Sequence, residues 1–189
     1  MRWERLLDEL AAGLDAEEAR VLDAEVAERT RRERGRVGLV DRLAAVDGPL
    51  TVRLLGGSSV TGTLERYAAD WALVAVSGSA QGVEAVLRLA AVGSLAGLPA
   101  RAGDPDLRSR LLDRLRLGVA LRGVARDRAA VTVHLVDGDS LVGTIDAVGA
   151  DHLDLALHPP SELRRDHAVA ERRAVPFAAL ACVVSRPMG

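Results

Sequence analysis

Residues 50–76 read LTVRLLGGSSVTGTLERYAADWALVAV, and residues 131–157 read VTVHLVDGDSLVGTIDAVGADHLDLAL. Laid over one another at an offset of 81 with no gap, they are identical at ten of 27 positions. The identities are Thr51/Thr132, Val52/Val133, Leu54/Leu135, Gly57/Gly138, Ser59/Ser140, Gly62/Gly143, Thr63/Thr144, Ala69/Ala150, Asp70/Asp151 and Ala75/Ala156. Most other positions exchange one aliphatic residue for another. Self-similarity at a fixed offset is the signature of a duplicated structural unit, so one unit is expected twice.

Each copy reads as strands. Leu50, Val52 and Leu54 alternate with Thr51 and Arg53, the period of two of a half-buried strand. Gly56-Gly57 and Asp137-Gly138 then fall at one place in both copies. Such dipeptides supply the positive φ angles of a primed turn, so a tight two-residue hairpin is expected. The second strand turns Val60, Gly62 and Leu64 inward, with Leu141, Gly143 and Ile145 as counterparts. A glycine at one site in both copies marks a sharp bend. Ala69-Asp70 and Ala150-Asp151 mark the next turn, where the acids read as turn formers. A third strand follows, with Ala72, Val74 and Val76 matching Leu153, Leu155 and Leu157.

The repeat resumes at an offset of 88, where 86–95 (VLRLAAVGSL) matches 174–183 (AVPFAALACV). Both segments read as two short strands joined by a helical turn. The second copy carries a longer loop, 158–173, with Arg164-Arg165 and Arg172-Arg173. Helical stretches precede the copies at 36–46 and 106–126, the latter with Leu107, Leu111, Leu115 and Val119 at near-helical spacing. Pro99 to Pro105 reads as a linker. At the start, Trp3, Leu7, Leu10 and Leu14 recur at one helical face, and Asp15-Ala16-Glu17-Glu18 resembles a capping box. From there the chain is rich in Ala, Glu and Arg, so a long exposed helix broken near Gly35–Gly38 is expected, docking through a narrow stripe or pairing as a short coiled coil. The resulting scheme is a helical region over 1–46, a first unit over 47–98, a linker and helix over 99–128 and a second unit over 129–186.

This order of elements resembles the Sm-like (LSm) small β-barrel, an SH3-like architecture. The residues that carry the resemblance are Leu54…Gly57…Gly62-x-Leu64…Asp70 and Leu135…Gly138…Gly143-x-Ile145…Asp151. The chain as a whole also looks like proteins of high-GC bacteria, some labelled transcriptional regulators. The resemblance implies a mainly β fold with N-terminal helices (α+β): two tandem five-stranded barrels, each preceded by a helix. It also implies association by pairing of open edge strands. The family's RNA-binding signature sets an Asp a few residues after the glycine, with an Asn close behind. Here Asp70 and Asp151 lie eight residues after Gly62 and Gly143, and the chain has no Asn. Its second signature, Arg-Gly before the last strand, is replaced by Leu89-Ala90-Ala91-Val92 and Phe177-Ala178-Ala179-Leu180.

The chain of 189 residues carries 25 basic residues, all Arg, against 27 acids, for a net charge of −2. Arg is the only cation available, so its presence says little about phosphate recognition. Charge is unevenly spread: 1–28 hold nine acids and three Arg, 29–36 hold five Arg and one Glu, and 99–128 hold eight Arg and four Asp. Four aromatic residues, Trp3, Tyr67, Trp71 and Phe177, are too few for a base-stacking surface. A lone cysteine, Cys182, excludes an internal disulfide and reads as an inert core thiol. No uncharged apolar run reaches membrane-spanning length. The opening Met1-Arg2-Trp3-Glu4-Arg5 puts charges where a secretory leader is apolar, so a cytoplasmic location is expected.

No nucleotide-binding, nucleophile-elbow or zinc-protease motif is present. His134, His152, His158 and His167 all lie in the second copy, and with Asp154 they fit no standard zinc spacing. No catalytic residue, metal or cofactor is therefore expected. The copies differ on the face away from their cores: Trp71 and Leu73 in the first, His152 and Asp154 in the second. An apolar outer face must be covered, by the N-terminal helix, the partner barrel or another subunit. The expected role is a non-enzymatic interaction or self-assembly module with a protein partner that includes itself, with Trp3, Leu7, Leu10, Trp71 and Leu73 as interface residues. The alternative is a nucleic-acid-binding regulator using Arg29, Arg31, Arg32, Arg34, Arg36, Arg164, Arg165, Arg172 and Arg173.

Overall fold

The computed structural model describes residues 2–78, 82–103, 115–158 and 171–185, with side chains of the first helix described at Trp3, Gly13, Glu17 and from Arg20 onward. The chain falls into two compact units, Met1–Gly38 and Leu39–Gly189. Among the described residues no helix is long and apolar enough to cross a membrane.

The first unit is one helix, α1 (Arg2–Arg34). It runs unbroken through Gly13, because the Ala, Glu and Arg around that glycine propagate a helix strongly enough to carry one weak position. Arg20 pairs with Glu17 at 3.0 Å, Arg32 with Glu28 at 3.1 Å and Arg29 with Glu33 at 3.5 Å, the i,i+3 and i,i+4 spacings of a helix surface. The helix stops at Gly35, whose N–H donates to the Arg31 carbonyl at 3.0 Å.

The second unit begins with a short helix, α2 (Leu39–Leu43), smaller than the helix expected over 36–46. Strands β1 (Pro49–Leu54), β2 (Ser59–Tyr67), β3 (Trp71–Val76), β4 (Glu84–Arg88) and β5 (Val92–Ala96) follow, with a 3₁₀ turn at Leu89–Ala91 between the last two. Helix α3 (Leu117–Arg126) leads to β6 (Ala130–Leu135), β7 (Ser140–Val148), β8 (His152–Leu157), β9 (Glu171–Pro176) and β10 (Leu180–Ser185). The remainder of the helix expected over 106–126 lies outside the described residues. All ten strands form one antiparallel sheet in the order β5-β1-β2-β3-β4-β10-β6-β7-β8-β9. Each half repeats one order, the fifth strand beside the first and then on to the fourth.

The duplication extends to individual hydrogen bonds. Leu50 pairs with Gly62 and Gly62 with Val76; at the same offset Val131 pairs with Gly143 and Gly143 with Leu157. The β2·β3 register slips between Leu64 and Arg66, and β7·β8 slips between Ile145 and Ala147. Gly62 and Gly143 are required by close approach: a Cβ would sit 2.0 Å from the Ala75 carbonyl oxygen in one and 2.2 Å from that of Ala156 in the other. The hairpin turn differs from the expected primed pair. Gly57 donates to the Leu54 carbonyl and takes φ +85°, and Gly138 donates to that of Leu135 with φ +100°, while Gly56 and Asp137 keep negative φ. This is a type I turn closed by a left-handed glycine, and it spares Asp137 the strain of positive φ.

Hydrogen bonding joins the two halves. Strand β4 does not pair with β5 of its own half; it pairs with β10, Leu87 opposite Cys182, Val86 opposite Val183 and Ala85 opposite Val184. The sheet is open, ending at β5 and β9, each with one partner. Residues of the β4·β10 pair alternate between two cores. Ala85, Leu87 and Cys182 join Leu50, Val52, Leu54 and Val74 in one. Val86, Leu180 and Val183 join Val131, Val133, Ile145, Leu153 and Leu155 in the other. The pair is a shared wall, which is why the two repeats form one unit. Arg88 fastens it, donating to the Ala178 and Leu180 carbonyls at 3.0 and 3.1 Å.

Candidate functional site

The outer face of the first half is where the two copies diverge most. Trp71 is 5% exposed and packs in the second core with Val86, Leu117 and Leu121. Its indole N–H donates to the Leu115 carbonyl at 2.7 Å. Leu73 lies partly buried against the same cluster. Over this face lies α3, the helix leading into the second repeat. Leu117 and Leu121 supply the apolar stripe that turns toward it. Asp70 acts on the helix start, its Oδ2 accepting the Leu117 N–H at 3.3 Å. That N–H has no partner within the helix, and a carboxylate there also meets the positive end of the helix dipole. Asp70 is thus more than a turn former. Its counterpart Asp151 lies 2.8 Å from His152 Nδ1 at the surface.

Between this face and α3 remains an apolar cleft of about 280 Å³, lined by Trp71, Leu73, Val86, Leu115, Val119 and Val124 together with exposed Arg66 and Glu84. In the second half His152 and Asp154 stand where Trp71 and Leu73 stand in the first; α3 also packs on β7 of that half, where Arg122 donates to the Gly149 carbonyl at 3.2 Å.

The two sheet ends differ in chemistry. By repeat position β5 corresponds to β10 and β9 to β4. Strand β5 reads Val-Gly-Ser-Leu-Ala, with Gly93, Ser94 and Ala96 exposed and no charge. Strand β9 reads Glu-Arg-Arg-Ala-Val-Pro. Arg173 takes the place of Ala85, which is fully buried in the joint. It is held by Glu171 through two hydrogen bonds of 3.0 and 2.9 Å. Charges and proline along an edge oppose the addition of another strand.

The arginines singled out in sequence do not converge. Arg29, Arg31 and Arg32 lie on α1, each paired with Glu33 or Glu28. Arg34 ends that helix and Arg36 follows it, both exposed. Arg172 and Arg173 lie on β9 rather than in a loop, Arg172 reaching Asp146 at 3.5 Å. Arg164 and Arg165 lie outside the described residues. Of the interface residues, Trp3 is 76% exposed; the side chains of Leu7 and Leu10 are outside the described set.

Titratable groups follow their surroundings. Cys182 is fully buried and its thiol is pushed up to about 12, which keeps it protonated and unreactive. Burial lowers the His134 pKa. The hydrogen bond with Asp151 raises that of His152 and lowers that of Asp151. His158 Nε2 lies 2.9 Å from Thr144 Oγ1, an imidazole–hydroxyl pair of the kind found in nucleophilic catalysis. Both residues are nearly fully buried, so no substrate reaches them and the pair serves to satisfy polar groups. Sequence reading missed it because Thr63 and Ser77, the counterparts, are exposed. Among the described residues no three metal-ligating side chains gather; His167 lies outside them. Comparison of the chain with family models, curated proteins and solved structures finds no match.

Proposed function

We propose that the chain is a non-enzymatic self-assembly and protein-interaction module built from two tandem Sm-like barrels. The observation that carries this reading is the β4·β10 joint, in which one repeat already adds a strand to the edge of the other. Strand β5 is the counterpart of β10 and stands at the sheet end with one partner and no charge. It is therefore the edge at which a partner strand adds, by the main-chain pairing that extends a sheet across two chains. Strand β9, with its two arginines, its glutamate and its proline, is the closed end.

Writing the chemistry of β9 onto β5 tests this. Ser94→Glu with Ala96→Lys changes two exposed positions and respects the β1 pairing, since position 94 lies opposite Arg53 and position 96 opposite Thr51. Light scattering across a dilution series should show the natural chain gaining mass with concentration and the variant remaining lighter throughout; equal masses refute the reading. The second reading, a nucleic-acid-binding regulator, draws on the side chains of Arg29, Arg31 and Arg32, which are 84%, 72% and 73% exposed. Phosphate binding weakens steeply with salt. An RNA or DNA shift at low salt that vanishes at physiological salt, with a shallower slope once the five Arg of 29–36 are replaced, would favour it; no shift at low salt removes it.

A further inference from the structure

We propose that α1 pairs antiparallel with α1 of a second copy of this chain. The helix has 33 residues, about 50 Å at 1.5 Å per residue. From Arg20 to Arg34 every described side chain but Glu28 and Thr30 is exposed, so this stretch has no cover. Among those exposed are three large aliphatics: Val21 at 52%, Leu22 at 62% and Val26 at 58%. By spacing, Leu22 and Val26 lie about 40° apart on one face of the helix, with Arg29 on the same side, while Val21 points with Trp3. A helix of this kind gains most of its stability from burying its apolar side chains.

The distribution of charge selects the partner and its direction. Residues 8–18 contain Asp8, Glu9, Asp15, Glu17 and Glu18 with no Arg, and residues 29–36 contain five Arg and one Glu. A parallel pair in register would set each block against its own like. An antiparallel pair that lays 29–36 of one copy beside Asp8, Glu9 and Asp15 of the other sets opposite charges together at both ends. The twofold axis of that pair falls at Leu22, amid the three exposed aliphatics. Two antiparallel helices also align their dipoles favourably. A second copy supplies both apolar side chains at the axis and the opposite charge, so it is the occupant the surface fits.

The test is a distance measured on the whole chain in the Ser94→Glu, Ala96→Lys background, which isolates the helix from the sheet edge whether or not that edge associates. A spin label is placed at Gly13→Cys, where a Cβ meets nothing within 4 Å. Buried Cys182 stays unlabelled. In the antiparallel pair the two labels are separated along the axis by 18 residues, about 27 Å. A parallel pair brings them to about 10 Å, one interhelical spacing. A dipolar distance near the larger value is expected. A short distance, or no dipolar coupling at any concentration, overturns the proposal. Arg31, Arg32 and Arg34 replaced together by Glu should weaken the association about tenfold or more, and unchanged affinity would count against the charge argument.

Discussion

Trp71 and His152 occupy one position in two copies of a unit, and their replacement should have opposite consequences. Trp71 buries about 200 Å² of surface, which at about 25 cal/mol per Å² corresponds to about 5 kcal/mol. Large-to-small substitutions of buried aromatics cost about 3–5 kcal/mol, and Trp71→Ala also leaves the Leu115 carbonyl without its indole donor. Against a total stability of about 5–15 kcal/mol, Trp71→Ala should move the urea midpoint down by a large fraction of its value. His152 sits at the surface, and His152→Ala removes only its contact with Asp151; changes at such sites stay within about 0.5 kcal/mol. Urea unfolding followed by circular dichroism measures both, and the slope of each transition checks that the two variants unfold the same surface. In a Trp3→Phe background Trp71 is the sole tryptophan, so its fluorescence reports the face under α3. Equal costs for the two variants, or a cost below about 1 kcal/mol for Trp71→Ala, would show that α3 does not cover this face and would refute the reasoning.

Two further outcomes follow from the geometry. Gly62→Ala and Gly143→Ala should each cost about 3 kcal/mol or more, because the new methyl group meets a backbone carbonyl that has no room to retreat; chemical denaturation of each variant checks this, whereas Gly13→Ala on α1 should be neutral or stabilising. Burial lowers the His134 pKa, so the unfolded chain binds the proton first as pH falls; stability from this group is complete above about pH 6.5 and declines below it. His152, raised by its bond with Asp151, should titrate above His134 in an NMR titration and lose that elevation in Asp151→Asn.

The strands and the faces they bury were legible because they are local. Alternation at Leu50, Val52 and Leu54 and the glycines at 62 and 143 encode face and bend within a few residues. The repeat extended each reading to a second place. The turn type was not legible, since Gly56-Gly57 suits a primed turn and a type I turn alike, and Asp137 in the other copy decides between them only once φ is known. Trp71 and Leu73 were legible as an apolar outer face, but its cover was not: the helix lies more than forty residues on, and its contact with Asp70 and Trp71 depends on how β4 meets β10. The same distance hid the double role of the β4·β10 pair. Nothing local in Val86 or Cys182 says that neighbouring residues face different cores. The pairing of Arg29, Arg31 and Arg32 with Glu33 and Glu28 was legible only as a possibility, because a charge run looks alike in sequence whether or not acids one helical turn away pair with it.

Strand β10 is the last described element of the chain, yet it lies in the middle of the sheet. Neither interior is complete without it: Ala181 and Cys182 fill one, Leu180 and Val183 the other. During synthesis both interiors therefore stay partly bare until β10 leaves the ribosome, and a stop codon a few residues upstream of Leu180 would cost the nascent chain both halves at once.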